Sequence, residues 1–319
     1  MAILLGLIVL LAVIIAGLVW FTGMMAKRVE AMLPPRGQFM DIDGQRIHYT
    51  DTGGSKPPVV MIHGLGGNLL HFGYAMADKL ASDYRVINVD RPGAGYSTRP
   101  EDAPATLTAQ AKTVATLIRQ LGLKQPLVVG HSLGGALSLA IALDHPDCAG
   151  GLALIAPLTH VVDTPPEVFK GLEIPSPLMR KAIAWTVATP LGIRRGPALL
   201  KQVFAPEAAP ADFPIRAGGI LGLRPSAFYA TSTDLMSAAE TLPGYMARYK
   251  SLAIPMAMLY GRGDRLLDYR AQGEAMKIVC PALDLELVEG GHMLPMTQAD
   301  RCVAMVKRVA ERRQGVQAA

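Results

Sequence analysis

From Ala2 to Ala26 the chain reads AILLGLIVLLAVIIAGLVWFTGMMA, without one charged side chain. At about 1.5 Å per residue this helix-length run can cross a bilayer core of roughly 30 Å. Trp20 and Phe21 stand near its end, where interfacial aromatics are favoured, and Lys27 and Arg28 follow at once. A cleavable signal peptide would start with basic residues, carry a shorter apolar stretch and end in a small-residue cleavage site. Here no Lys or Arg precedes the run, and no clear A-x-A site follows it. The expectation is one uncleaved transmembrane anchor over residues 1–26, with the lipid bilayer as its partner. Lys27, Arg28 and Arg36 all lie after the span, so the positive-inside bias puts the rest of the chain on the cytoplasmic side. The apolar run holds no G-x-x-x-G helix-pairing motif, and oligomerisation stays open.

The 319 residues suffice for one large α/β domain or two small ones. Half of them are hydrophobic, ample for a packed core, and only 18% are charged. The net charge of +5 draws on RRGPALLK (194–201) and on the tail segment KRVAERR (307–313). Such residues can face an anionic leaflet or simply be solvated helix surface. They are not interleaved with aromatics, so nothing points to nucleic acid. Cys148, Cys280 and Cys302 are widely spaced and odd in number, which reads as free, buried thiols.

After a linker over residues 27–37, FMDIDGQRIHYTDTG reads as two strands around an Asp43-Gly44 hairpin turn. Strands are then expected at 58–62, 85–89, 127–129 and 151–155, with helices over 69–81, 108–121 and 133–143 between them. This alternation is the pattern of a mostly parallel α/β sheet flanked by helices. It breaks at residues 158–249, a helical, proline-punctuated stretch. It resumes with strands at 254–261 and 283–288, a helix near 269–278 and a final helix from about Gln298. The first core part is therefore 38–157 and the second 250–313, with a tail at 314–319. The interruption reads as a helical cap over the C-terminal edge of the sheet, where open α/β sheets bind ligands.

GHSLGG, from Gly130 to Gly135, follows the apolar run Leu127-Val128-Val129 directly. Gly-x-Ser-x-Gly can force a sharp strand-to-helix turn that exposes one hydroxyl. A serine hydroxyl needs a base, and the base an orienting acid. Of seven histidines, His292 in VEGGHMLP is the best candidate base, directly after a strand with glycines before it. His71 and His160 fall near the expected pocket without a supporting context. Asp264 in GRGDRLLD is the candidate acid, with Asp268 in reserve. Taken singly, a loop aspartate is usually a turn residue, and a histidine after a strand usually structural. The order Ser, Asp, His, each after an expected parallel strand, is the chain order of an α/β-hydrolase triad.

Over residues 39–310 the chain resembles the α/β-hydrolase fold proteins of the serine esterase and lipase type. HGLGGN at His63, DRPGAGYS at Asp90, GHSLGG at Gly130 and the GRGD…GGH pair at Asp264 and His292 carry the resemblance. With the anchor, the architecture is similar to membrane-anchored monoacylglycerol lipases and lysophospholipases. The resemblance implies an oxyanion site made by the backbone N–H groups of Leu133 and Leu65. It implies that His63 is structural and that Asp90 braces its loop. Ser132 stands where relatives acting on epoxides or carbon–halogen bonds carry aspartate, so acyl transfer is implied. No metal and no cofactor is expected, and the substrate class is a carboxylic ester, with lipid acyl esters first. The alternatives are a small-ester or carbon–carbon bond hydrolase, and a catalytically silent, membrane-tethered binding or accessory protein.

Overall fold

Strands that are apolar along their whole length must be covered on both faces. Four segments of this chain are of that kind: PVVMI, LVVGH, GLALI and MAMLYG. In the computed structural model, which describes residues 1–162 and 166–318, they form the centre of one eight-stranded sheet. Its strands are β1 (Gln38–Ile42), β2 (Gln45–Asp51), β3 (Pro58–Ile62), β4 (Arg85–Val89), β5 (Leu127–His131), β6 (Gly151–Ile155), β7 (Met256–Gly261) and β8 (Asp284–Val288). They lie in the order β1-β2-β4-β3-β5-β6-β7-β8, and only β2 runs against the others. The β1–β2 hairpin turns at Asp43 and Gly44, both at positive φ, as the Asp-Gly pair predicts.

Alternate residues of the central strands feed two cores. Val60, Ile62, Val128, Leu154 and Met258 pack towards α2 (Leu107–Gln120) and α3 (Leu133–Asp144). Val59, Met61, Val129, Ala153 and Leu259 pack on the other side, against Phe72, Leu80 and the last helix, Ala299–Ala318. Burying each large apolar side chain contributes about 2 kcal/mol. The three cysteines are free and buried in these layers. The tail cations sit mostly in ion pairs of the chain itself: Lys307 with Asp83 at 2.6 Å, and Arg312 with Asp284 at 3.1 Å.

The N-terminal helix α1 covers Ala2–Met32, six residues into the segment expected as linker. Lys27 to Met32 contain no helix breaker, and the helix ends where Pro34 disfavours helical geometry at Leu33. The stretch expected as one helix over 69–81 is two short turns, Leu70–Gly73 and Ala77–Ala81, interrupted over 74–76 just after Gly73. Between β6 and β7 lie a 3-10 turn, Glu167–Leu172, and three longer helices: Pro177–Trp185, Ala188–Val203 and Pro225–Met246. In chain order after α3 these are α4, α5 and α6, and the last helix is α7. Residues 163–165 of the expected cap and Ala319 of the tail lie outside the described residues.

The sheet and α3 meet at a contact that tolerates no side chain. A Cβ on Gly134 would collide with the carbonyl oxygen of Ile62 at the end of β3, which is backbone and cannot yield. Gly134→Ala should cost about 3 kcal/mol or more. Gly244→Ala, in open space near the end of α6, should instead raise stability by about 0.5–1 kcal/mol. Urea midpoints of the detergent-solubilised chain would check both; a neutral Gly134→Ala would mean that α3 does not pack this closely on β3.

Candidate active site

The candidate side chains follow the C-terminal ends of β5, β7 and β8, on one edge of the sheet. β5 ends at His131, and Ser132 then takes φ 55° and ψ −122° before α3 begins. Only a small fraction of non-glycine residues adopt positive φ, and the strain is held by the surroundings. Here the Ser132 N–H donates to Ile155 O at 3.1 Å, while Ser132 O accepts from Gly135 N and from Leu158 N, both at 2.9 Å. The strand-to-helix turn expected from GHSLGG is therefore present.

β7 leads into Asp264, whose side chain is fully buried. One carboxylate oxygen accepts from the N–H groups of Leu266 and Leu267 at 2.8 and 3.0 Å. The other lies 2.7 Å from His292 Nδ1. A carboxylate only accepts, so Nδ1 carries the hydrogen and the Nε2 lone pair is left for chemistry. His292 follows β8 through Gly290-Gly291. Ser132, His292, Leu65 and Leu133 line one chamber of about 110 Å³, closed by apolar residues that include Leu158, Val162, Phe169 and Leu242. All five candidate site residues are thus gathered in one place.

Asp268 is not among them. It is exposed and accepts from Arg270 N at 2.8 Å, a turn-capping contact on its own loop. His160 bonds to Thr159 and packs near Tyr249. Asp90 is the brace that was expected: its carboxylate holds His48 Nδ1, Leu69 N and Tyr96 N within 2.8 Å. His63 is buried and structural; its Nδ1–H donates to Gly64 O at 2.8 Å and its Nε2 accepts from Arg91 N at 3.1 Å. Burial and the neighbouring Arg91 charge hold His63 well below the usual histidine range, so it is neutral.

Two supports escaped sequence reasoning. His131 donates from Nε2 to His292 O at 3.0 Å and lies 4.8 Å from the His292 ring. Burial foremost, with the nearby His292, keeps it neutral. From the cap, Glu207 accepts from Gly291 N at 2.9 Å and so steadies the His292 loop. Position within the nucleophile motif flags His131 in hindsight; nothing in the sequence flags Glu207.

A family model described as alpha/beta hydrolase fold matches residues 57–299, more than half of the chain. The chain belongs to the α/β-hydrolase fold family. The magnesium-chelatase 30 kDa subunit of Rhodobacter capsulatus is 28% identical over 80% of this chain and 88% of its own length. The dihydrolipoyllysine-residue acetyltransferase component of the acetoin cleaving system of Cupriavidus necator is 39% identical over 38% of this chain. The match spans only about a third of that longer protein, 32% of its length. Among solved structures, an esterase from Exiguobacterium antarcticum superposes with a TM-score of 0.67 at 23% identity, over 86% of this chain and all of its own. A membrane phospholipase A described as a bacterial virulence factor gives 0.67 at 24% identity over 97% of this chain and 99% of its own, so that alignment extends into α1. These likenesses establish the hydrolase fold from β3 to the start of α7.

His71 packs against Gly67 of the loop after β3, and burial lowers its pKa to about 4. The unfolded chain, at the ordinary value near 6.5, binds the proton first as pH falls. The stabilisation is therefore complete above pH 6.5 and lost between 6.5 and 4, amounting to roughly 3 kcal/mol. His71→Phe should flatten the fall in urea midpoint between pH 7.5 and 4.5; an equal fall in the variant would count against this account.

Proposed function

We propose that the protein is a membrane-anchored serine hydrolase that cleaves carboxylic esters through Ser132, His292 and Asp264. The observation that carries this reading is the 2.7 Å His292–Asp264 hydrogen bond opening onto the chamber that the strained Ser132 lines. Ser132 Oγ attacks the ester carbonyl and gives its proton to His292 Nε2. Asp264 holds the ring by Nδ1–H and stabilises the imidazolium that forms. The tetrahedral oxygen accepts from the N–H groups of Leu65 and Leu133, a donor of this type being worth about 3–4 kcal/mol. Collapse returns the proton to the departing alcohol and leaves an acyl-serine. Water, deprotonated by His292, then releases the acid. The Ser132–His292 hydrogen bond closes with substrate, as catalytic bonds often do.

The lipid part of the reading rests on where α1 meets the cap. Residues 2–21 of α1 are long enough for a hydrocarbon core of roughly 30 Å at about 1.5 Å per residue. Thr22, the next residue, is buried; its hydroxyl donates to Thr186 O at 3.5 Å, and Gly23 abuts Trp185. With α1 in a bilayer, Trp185 and Val187 lie at its edge. The neighbouring cap helices expose Leu178, Met179, Leu191, Ile193 and Leu199, beside Arg194 and Arg195. Apolar and basic side chains together suit an anionic lipid interface. Esters that partition into the bilayer, such as monoacylglycerols and lysophospholipids, would enter from this side. The cations after the apolar span, Lys27 and Arg28 in the last turns of α1 and Arg36 beyond it, favour the cytoplasmic leaflet.

Activity on p-nitrophenyl esters from acetate to palmitate should peak at medium or long chains and fall at least 10³-fold in Ser132→Ala, within the range known for serine triads. A fluorophosphonate should label the wild type alone. Activity only on acetate and butyrate, as the small chamber allows without cap movement, would favour the small-ester alternative. No labelling would favour an accessory protein, a reading kept in view by the relative named as a chelatase subunit.

In proteoliposomes, Leu178→Asp with Leu191→Asp should slow turnover of bilayer lysophospholipid at least tenfold while sparing a soluble butyrate ester. Protease should reach the hydrolase domain in inverted, not right-side-out, vesicles. Equal loss on both substrates would sink the interfacial face, and the opposite protease pattern the orientation.

A further inference from the structure

Arg91, in the DRPGAGYS segment, is 1% exposed, and its guanidinium holds two carbonyls of the loop after β3. Nε donates to His63 O and Nη2 to Gly64 O, both at 3.1 Å. Gly64 O also accepts from His63 Nδ1 at 2.8 Å and from Gly67 N at 3.2 Å. That oxygen is fixed from three sides. The Gly64 C=O and the Leu65 N–H belong to one planar trans peptide, so they point in opposite directions. Fixing the carbonyl therefore aims the N–H. The loop is pressed on the nucleophile as well: a Cβ on Gly64 would lie 2.9 Å from Ser132 Cβ.

The other edge of the guanidinium reaches the cap. Nη1 donates to Asp234 Oδ2 at 2.7 Å and to Gln110 Oε1 at 2.9 Å. Asp234, also 1% exposed, sits on α6 and takes a second cation, Arg99, at 2.6 Å. Leu235, the next residue, and Ala238, Ala239 and Leu242 of the same helix line the chamber over Ser132. Buried ion pairs are weak sources of net stability, because desolvation offsets most of their attraction. Their directional hydrogen bonds can nonetheless define geometry, and here one pair joins the roof of the chamber to the loop beneath it.

We infer that Arg91 is the positioning residue of the oxyanion site, aligning the Leu65 N–H through the carbonyl of its own peptide. Asp234 ties that alignment to the seating of α6 over the chamber. This rests on the acyl-transfer reading above and names residues for it that neither touch substrate nor carry the reaction.

The test uses the full chain in detergent with p-nitrophenyl butyrate and an alkyl trifluoromethyl ketone. The ketone's adduct with serine places an oxyanion where the substrate's would form. Arg91→Lys keeps the charge and loses the fork. It should lower kcat about 10- to 100-fold, less than outright removal of a donor. KM should stay within about threefold, and ketone affinity should fall by the same factor as kcat. Asp234→Glu keeps both charges but shifts the carboxylate against α6. It should show a smaller loss of the same kind, and it serves if Arg91→Lys does not fold. A variant with a lowered thermal midpoint but unchanged ketone affinity would overturn the inference, as would a rise in KM alone. If the wild type takes no fluorophosphonate, both readings fall. If it is labelled and the variants keep their ketone affinity, only the positioning role falls.

Discussion

Everything at the site depends on a close approach of backbones between β3 and the start of α3. Gly134 brings its helix onto the carbonyls of Ile62 and His63, closer than any side chain would allow. This contact lets Ser132 stand at φ 55° with its main chain bonded to β6 and to Leu158. It also brings the loop after β3 against the nucleophile. A turn and a close packing contact, both backbone properties, thus put Leu65, Ser132 and Leu133 around one chamber. The chemistry attributed to these residues needs fixed N–H groups more than particular side chains, and so leucine can stand at both donor positions.

The parallel sheet supplies the rest. β5, β7 and β8 run the same way, so the loops that follow them open on one edge. Ser132, Asp264 and His292 are each carried by one of these loops. The two carboxylates of the site region then differ in employment. Asp264 is bonded to its own turn and to His292, which lines the chamber. Asp90 is consumed by His48, Leu69 and Tyr96 behind it. Supports outside the sheet converge on the same loops. His131 bonds the main chain of His292, and Glu207 reaches down from the cap to Gly291. The cap is therefore joined to both halves of the site, through Glu207 on the histidine side and through Asp234 on the loop after β3.

Much of this was legible in order and composition. Uninterrupted apolar strands require cover on both faces, and alternation with helices requires a parallel sheet. Ser132, Asp264 and His292 were candidates because each follows a strand end in the order Ser, Asp, His, and Leu65 and Leu133 because the resemblance to the α/β-hydrolases implies them. Asp268 differed from Asp264 by four positions in one loop, and only the path of that loop separated them. The short helices after β3 and the length of α1 depended on local details, Gly73 and Pro34, that shift boundaries without changing the fold.

What the sequence by itself determined was therefore local or periodic: the apolar N-terminal run, the strand and helix order, the elbow around Ser132 and the candidate triad. These follow from hydrophobicity, backbone preference and spacing, all of which act between residues near in the chain. Only the tertiary structure decided which distant groups meet. Arg91 and Asp234 are 143 residues apart, and Glu207 and Gly291 are 84 apart. Taken singly, each reads as an ordinary polar residue. Their pairing arises when the cap closes over the sheet edge, because a charge removed from water there must find its partner in whatever segment the fold brings alongside it.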